Sequence, residues 1–142
     1  MLDLSTFEKA LSQVGKSLDF ANSPAAKNDI NLFQQFRAAA IQAFEYTYEQ
    51  AIRFMNRALE EYYPAVAASL DVATFREVLR LLLEREMINN EKLWLEFREK
   101  RNITSHSYNE NQAADVFSSI PAFYKEASYF LSRIKQLQEK KP

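Results

Sequence analysis

The eight residues Arg101-Asn102-Ile103-Thr104-Ser105-His106-Ser107-Tyr108 contain the chain's single histidine and set an arginine and a phenol close to it. These types suit reactions at phosphorus. A guanidinium is permanently charged and forks onto phosphate oxygens, and an imidazole moves protons near neutral pH. On a helix Asn102 and His106 share a face at i, i+4, whereas Arg101 lies about 140° away around the axis. Arg101 and His106 can therefore reach one phosphate if the helix ends or bends near Ser105. A lone histidine is more often a hydrogen-bonded structural residue than a catalyst, and Tyr108 reads equally as core. Arg98 and Lys100 either add positive charge or form a solvated turn balanced by Glu96 and Glu99.

Other chemistries have little support. With one histidine and no cysteine, a zinc site would need three converging carboxylates, and no spacing provides them. A single glycine excludes a Gly-rich phosphate loop. No cofactor is implied. Eighteen basic and nineteen acidic residues give a net charge of −1, so any nucleic-acid contact must be local. The acidic start MLDLSTFEKA lacks the bases of a signal peptide, and no apolar run nears the ~20 residues of a membrane span. The absence of cysteine suits a reducing compartment. The expectation is a cytoplasmic protein without membrane contact.

The elements that must position the octet are helical. One glycine, four prolines and abundant Ala, Leu, Glu, Gln, Lys and Arg predict an all-α chain, and 142 residues fit one domain, 1–142. Ser5 and Glu8 read as a capping box, followed by Phe7, Leu11, Val14 and Leu18 at helical spacing up to Asn22-Ser23-Pro24. Gly15 inside this helix suggests a close approach. A long second helix spans about Asp29 to Tyr63, with Phe33, Phe36, Ala40, Phe44, Ala51, Met55, Leu59 and Tyr62 as its stripe and Pro64 as its stop. Pro64 to Ala73 is looser. Thr74 and Glu77 cap a short helix through Leu82, and Asn89-Asn90-Glu91 starts another that runs into the octet. Asn109-Glu110-Asn111 interrupts the pattern before a last helix carrying Val116 to Leu137, which Pro121 should kink or divide. Residues 138–142 read as a frayed tail. The predicted architecture is an antiparallel four-helix bundle with one short extra helix.

Arg101, four residues, His106, one residue and Tyr108 resemble the R-x4-H-x-Y signature of HEPN-domain proteins from prokaryotic two-gene modules with a minimal nucleotidyltransferase. Ala43-Phe44-Glu45-Tyr46-Thr47-Tyr48-Glu49 is similar to the F-E-x-x-x-E stretch of that family's long second helix. Phe75-Arg76-Glu77-Val78-Leu79-Arg80 and Trp94 match the approach to the motif. One departure is Met87, before Ile88, where relatives are expected to carry glycine.

The resemblance implies a HEPN-like bundle and a metal-independent endoribonuclease toxin, with a composite site where two motifs face each other in a homodimer. It would make His106 the general acid or base for attack of a ribose 2′-OH on the adjacent phosphodiester, a reaction of RNA and not DNA. Arg101 would stabilise the phosphoryl charge, with Asn102 in support. Tyr108 resembles the tyrosine to which the cognate nucleotidyltransferase antitoxin transfers AMP. The other reading is a non-catalytic substrate-binding subunit of that nucleotidyltransferase. Apolar residues around Phe97 and Tyr108 are expected to form the dimer interface.

Overall fold

Asp29 has an extended backbone and its carboxylate accepts from the amides of Asn31 and Leu32, so the longest helix begins where the sequence places it. The computed structural model describes residues 1–69, 74–105 and 108–140, and among them all regular structure is α-helical. The elements are α1 (Ser5–Ala21), α2 (Pro24–Lys27), α3 (Ile30–Tyr62), α4 (Pro64–Ala68), α5 (Phe75–Glu84), α6 (Glu91–Thr104) and α7 (Glu110–Lys140).

Helices α1, α3, α6 and α7 form the bundle. Phe7 stacks on Phe54 near the start of α1, and Phe20 stacks on Phe36 near its end, so α1 and α3 run antiparallel. Lys100 pairs with Asp115 and Trp94 packs on Phe123, which makes α6 and α7 antiparallel as well. Helices α3 and α7 run in the same direction, with Phe33 against Phe117 and Phe44 against Phe123. These two parallel helices are direct neighbours, packed backbone to backbone with aromatic side chains between them. The short extra helix is α5, whereas α2 and α4 are single turns opened by Pro24 and Pro64, each at the first helical position where the missing N–H costs nothing.

Local chemistry explains both the agreements and the corrections. Thr74 accepts from the Glu77 amide, and Asn109 and Gln112 bond each other's backbone N–H reciprocally, which completes a capping box for α7. The box expected from Ser5 and Glu8 does not form. Leu4 already has near-helical angles (φ −92, ψ 2), so Ser5 lies inside the helix, its amide donates to Asp3, and Glu8 pairs instead with Lys135. Pro121 does not divide α7, because it sits exposed on the solvent side of the helix, where water can hydrate a carbonyl left without its N–H partner. Nor is the tail frayed where the structure describes it. Helix α7 continues to Lys140, and the Gln138 amide donates to the Leu2 carbonyl.

Gly15 is a close approach, since a Cβ there would stand 3.0 Å from the Tyr124 ring and hydroxyl. At the end of α5, Met87 N–H donates to the Leu82 carbonyl and Glu86 N–H to the Leu83 carbonyl, the two bonds of a Schellman turn. The left-handed residue of that turn is Glu86 (φ 57), while Met87 is fully buried as the turn's apolar anchor. The position that favours glycine is therefore Glu86, one residue before the position expected. Glu86→Gly should raise unfolding stability by about 1 kcal/mol, because the left-handed conformation penalises a Cβ. The Glu86 carbonyl, which accepts from Tyr129 and Arg133, is unchanged by the substitution. A higher denaturation midpoint at constant slope would show the gain.

Candidate functional site

Helix α6 ends at Thr104 with Ser105 as its C-cap, at the place where the sequence leads one to expect an end or a bend. Asn90 starts that helix by accepting the Leu93 amide. Trp94 and Phe97 then bury one face of it in the core, and Arg101, four residues beyond Phe97, emerges at the same edge.

Arg101 is the best-defined member of the site. Its Nη2 donates to Glu49 Oε1 at 2.6 Å, its Nη1 lies 3.7 Å from Glu45 Oε2, and Nη1 donates to the Thr104 hydroxyl at 3.3 Å. Thr104 in turn donates to the Arg101 carbonyl. The guanidinium is thus fixed from two helices while its side chain keeps 22% exposure. Five N–H groups point from a guanidinium. Among the described residues these hydrogen bonds engage two of them, which leaves donors for an incoming anion.

The carboxylates feel the same geometry. Burial raises the Glu45 carboxyl above its ordinary range, Arg101 opposes this, and the nearby Glu49 adds to it. Burial also pushes the Tyr48 phenol up to about 12, against the pull of Arg98 and Arg101, so it stays neutral at physiological pH.

Asn102 is exposed in the last turn of α6, where its carbonyl accepts from Ser105. Tyr108 is 38% exposed, two residues before α7. His106 and Ser107 lie outside the described residues. Phe97 is 1% exposed within the bundle, which removes it from any subunit interface. Lys100 does not balance Glu96 or Glu99 but reaches Asp115 on α7 at 2.8 Å, and Arg98 lies over the Phe75 ring with its guanidinium carbon 5.3 Å from the centroid.

A second ion pair closes the other side. Arg37, buried on α3, forks onto both oxygens of Glu110 at 2.8 and 2.6 Å, which ties α3 to the first residue of α7 and so fixes the chain just after Tyr108. Sequence reasoning found neither this pair nor Thr104. Glu45 and Glu49 were visible only as part of a resemblance. Their signal was present, because they sit one position beyond the buried Phe44 and Tyr48 and so flank the core at the α6 edge. Among the described residues no cluster of three His, Cys, Asp or Glu side chains is placed to hold a metal ion, and no helix is long and apolar enough to cross a membrane.

Known proteins share this fold and family. Residues 2–136 match the family described as nucleotidyltransferase substrate binding protein like. The chain is 34% identical over 100 residues to the protein named probable ribonuclease HepT of Haemophilus influenzae, covering 70% of this chain and 67% of that one. Its fold is similar to HI0074 of Haemophilus influenzae, described as a substrate binding domain of a nucleotidyltransferase. That match has a TM-score of 0.84 and 25% identity, and covers 94% of this chain and 99% of the other. It also resembles the protein ttk003001694 of Thermus thermophilus, with a TM-score of 0.67 and 28% identity over 90% and 98% of the two chains. The chain belongs to the HepT-like, nucleotidyltransferase substrate-binding family.

The Arg37–Glu110 pair predicts a specific acid response. Its hydrogen bonds from Arg37 hold the Glu110 carboxyl below the ordinary value of 4.5, so at acid pH the native state binds fewer protons than the unfolded chain. The stabilisation is complete above that value and is lost as pH falls through the lowered one. Glu110→Gln should be less stable than wild type at neutral pH and show a flatter decline below pH 4.5, as measured by urea unfolding at a series of pH values.

Proposed function

We propose that this chain is the ribonuclease toxin of a toxin–antitoxin pair, acting as a metal-independent endoribonuclease in the cytoplasm. The observation that carries the reading is the fixed Arg101 guanidinium, held by Glu45, Glu49 and Thr104 at the end of α6, five residues before the chain's single histidine. A positioned guanidinium with unused donors stabilises charge developing on phosphoryl oxygens without reorganising at the moment of reaction.

In this proposal two copies form a homodimer with the octets near the two-fold axis, so that each composite site has two imidazoles. One His106 takes the proton from a ribose 2′-OH. The 2′-oxygen then bonds to phosphorus, the bond from phosphorus to the 5′-oxygen breaks, and the second His106 returns a proton to that leaving oxygen. The products are a 2′,3′-cyclic phosphate and a 5′-hydroxyl. Arg101 holds the non-bridging oxygens, and the exposed Asn102 beside it orients the phosphate or the imidazole.

The cognate nucleotidyltransferase neutralises the toxin by transferring AMP to Tyr108. Support comes from the 38% exposure of Tyr108 and from its position in the segment between α6 and α7. A bulky anion there would obstruct the approach of RNA phosphate. The competing reading, a non-catalytic subunit that presents substrate to the nucleotidyltransferase, draws support from the family's description and from that of HI0074.

Cleavage of RNA by the purified dimer separates the two. His106→Ala should lower the rate about a hundred-fold to ten-thousand-fold with helicity and dimerisation intact. Arg101→Lys should also be severely impaired, since a point charge cannot replace the fork. Chelator should have no effect. Tyr108→Phe should fold, carry no adenylate by intact-mass spectrometry after co-expression with the nucleotidyltransferase, and escape neutralisation. If unmodified wild-type protein cleaves no RNA, the binding-subunit reading replaces the nuclease.

A further inference from the structure

Beside the Arg101 cluster a cavity of about 360 Å³ opens between α3, α5 and α6, walled by Tyr48, Glu49, Ile52, Phe75 and Arg98. A second space of about 220 Å³ shares the Ile52 and Phe75 walls and is bounded otherwise by Met55, Asn56 and Val78. Three walls of the larger cavity are aromatic or aliphatic, one is a guanidinium, and one is the carboxylate that holds Arg101. A cavity of roughly 300 Å³ or more with apolar walls and a few placed polar groups is of the size that receives small planar ligands.

We propose that this cavity is a nucleobase subsite, which receives the base of a single-stranded RNA nucleotide next to the phosphate held by Arg101. The proposal rests on the ribonuclease reading of Arg101. Three observations argue for a base as the occupant. Arg98 and Arg101 are three residues apart on α6, neighbours on one helix face with Cβ atoms about 5–6 Å apart, which a nucleoside can span from its own phosphate. Glu49 belongs to both places, since it lines the cavity and accepts from Arg101, so the two are adjacent.

The third observation is the pairing of Arg98 with Phe75. Arg98 is exposed, makes no ion pair with the described residues, and lies over the partly buried Phe75 ring at 5.3 Å. Unstacked bases of single-stranded RNA are bound on aromatic rings or on guanidinium planes, and the exposed Arg98 guanidinium, backed by the Phe75 ring, offers such a plane. The neutral Tyr48 phenol adds an O–H for a base edge. A protein chain docking here would gain from the apolar walls but would leave the charge of Arg98, which has no ion pair with the described residues, unmatched unless it brought an anion. RNA supplies the planar group and the anion together.

The test uses full-length wild-type protein and the variants Phe75→Leu, which keeps an apolar side chain and loses the ring, and Arg98→Gln, which removes the charge. Saturation-transfer NMR with AMP, CMP, GMP and UMP should show stronger transfer to base protons than to ribose protons in the wild type, and a marked loss in both variants. A random single-stranded oligoribonucleotide pool carrying 4-thiouridine should photocross-link to the peptide containing Phe75 or to that containing Tyr48. In cleavage assays Phe75→Leu should raise KM about ten-fold with a smaller effect on kcat, as expected for one lost stacking contact.

Cleavage with unchanged KM in both variants, together with cross-links elsewhere, would overturn the subsite and leave the nuclease standing. Base-selective transfer and cross-links at these peptides without any cleavage would keep the subsite and overturn the nuclease. Loss of nucleotidyltransferase binding in Phe75→Leu with undiminished nucleotide contacts would instead make the cavity a protein docking site and overturn the proposal.

Discussion

Phe123 is the point on which the arrangement depends. Its ring meets Phe44 at 4.9 Å, Phe97 at 5.4 Å and Trp94 at 5.9 Å, each edge to face, and tilts against Tyr48 at 6.5 Å. Contacts of this kind add about 0.5–1.5 kcal/mol each beyond the area they bury, and they are directional, so they fix rotation and register as well as distance. One residue on α7 thereby sets α3 and α6 against each other. Glu45 and Glu49 follow Phe44 and Tyr48 by one position, and Arg101 follows Phe97 by one helical turn. Once the aromatic rings are seated, the two carboxylates and the guanidinium have little freedom to be anywhere else.

The electrostatics of the cluster are local. Two carboxylates share one arginine, so the isolated cluster has no surplus positive charge, and the whole chain carries −1. A phosphate that approaches Arg101 must meet it at short range, with Arg98 beside it and, in the proposed homodimer, the partner's matching groups opposite. Such a site gains little from long-range attraction and selects by fit. The carboxylates limit the mobility of the guanidinium. An arginine free to search many rotamers would lose that entropy on binding each phosphate, whereas one already clamped has lost it on folding.

Much of this was legible in the sequence, and the reasons for success and failure are physical. Helix α3 could be placed to within a residue because Asp29 and Pro64 act locally, through a side-chain cap and a missing N–H. The starts of α5 and α6 followed from Thr74 and Asn90 for the same reason. Ser5 failed as a cap because capping depends on the preceding backbone angles, which residue types do not specify. Of the two outcomes expected at Pro121, division does not occur, since a proline on the exposed side of a long, well-packed helix leaves an unpaired carbonyl to water and does not break the helix. The octet singled out Arg101, Asn102, His106 and Tyr108 by type and spacing, and of these His106 lies outside the described residues. The Arg101 partners Glu45 and Glu49 lie more than fifty residues away in sequence, and only the packing of α6 on α3 shows that they hold the arginine. The Arg37–Glu110 pair, seventy-three residues apart, was hidden for the same reason.

In the proposed ribonuclease, Glu49 would act on RNA cleavage by positioning Arg101. The most direct test is a double-mutant cycle in which cleavage rates are measured for wild type, Glu49→Gln, Arg101→Lys and the double variant. If Glu49 positions the guanidinium, Glu49→Gln slows cleavage in the wild-type background but has almost no further effect once Arg101 is lysine, so the two losses are far from additive. If the losses multiply independently, Glu49 does not work through Arg101 and the account of the site is wrong.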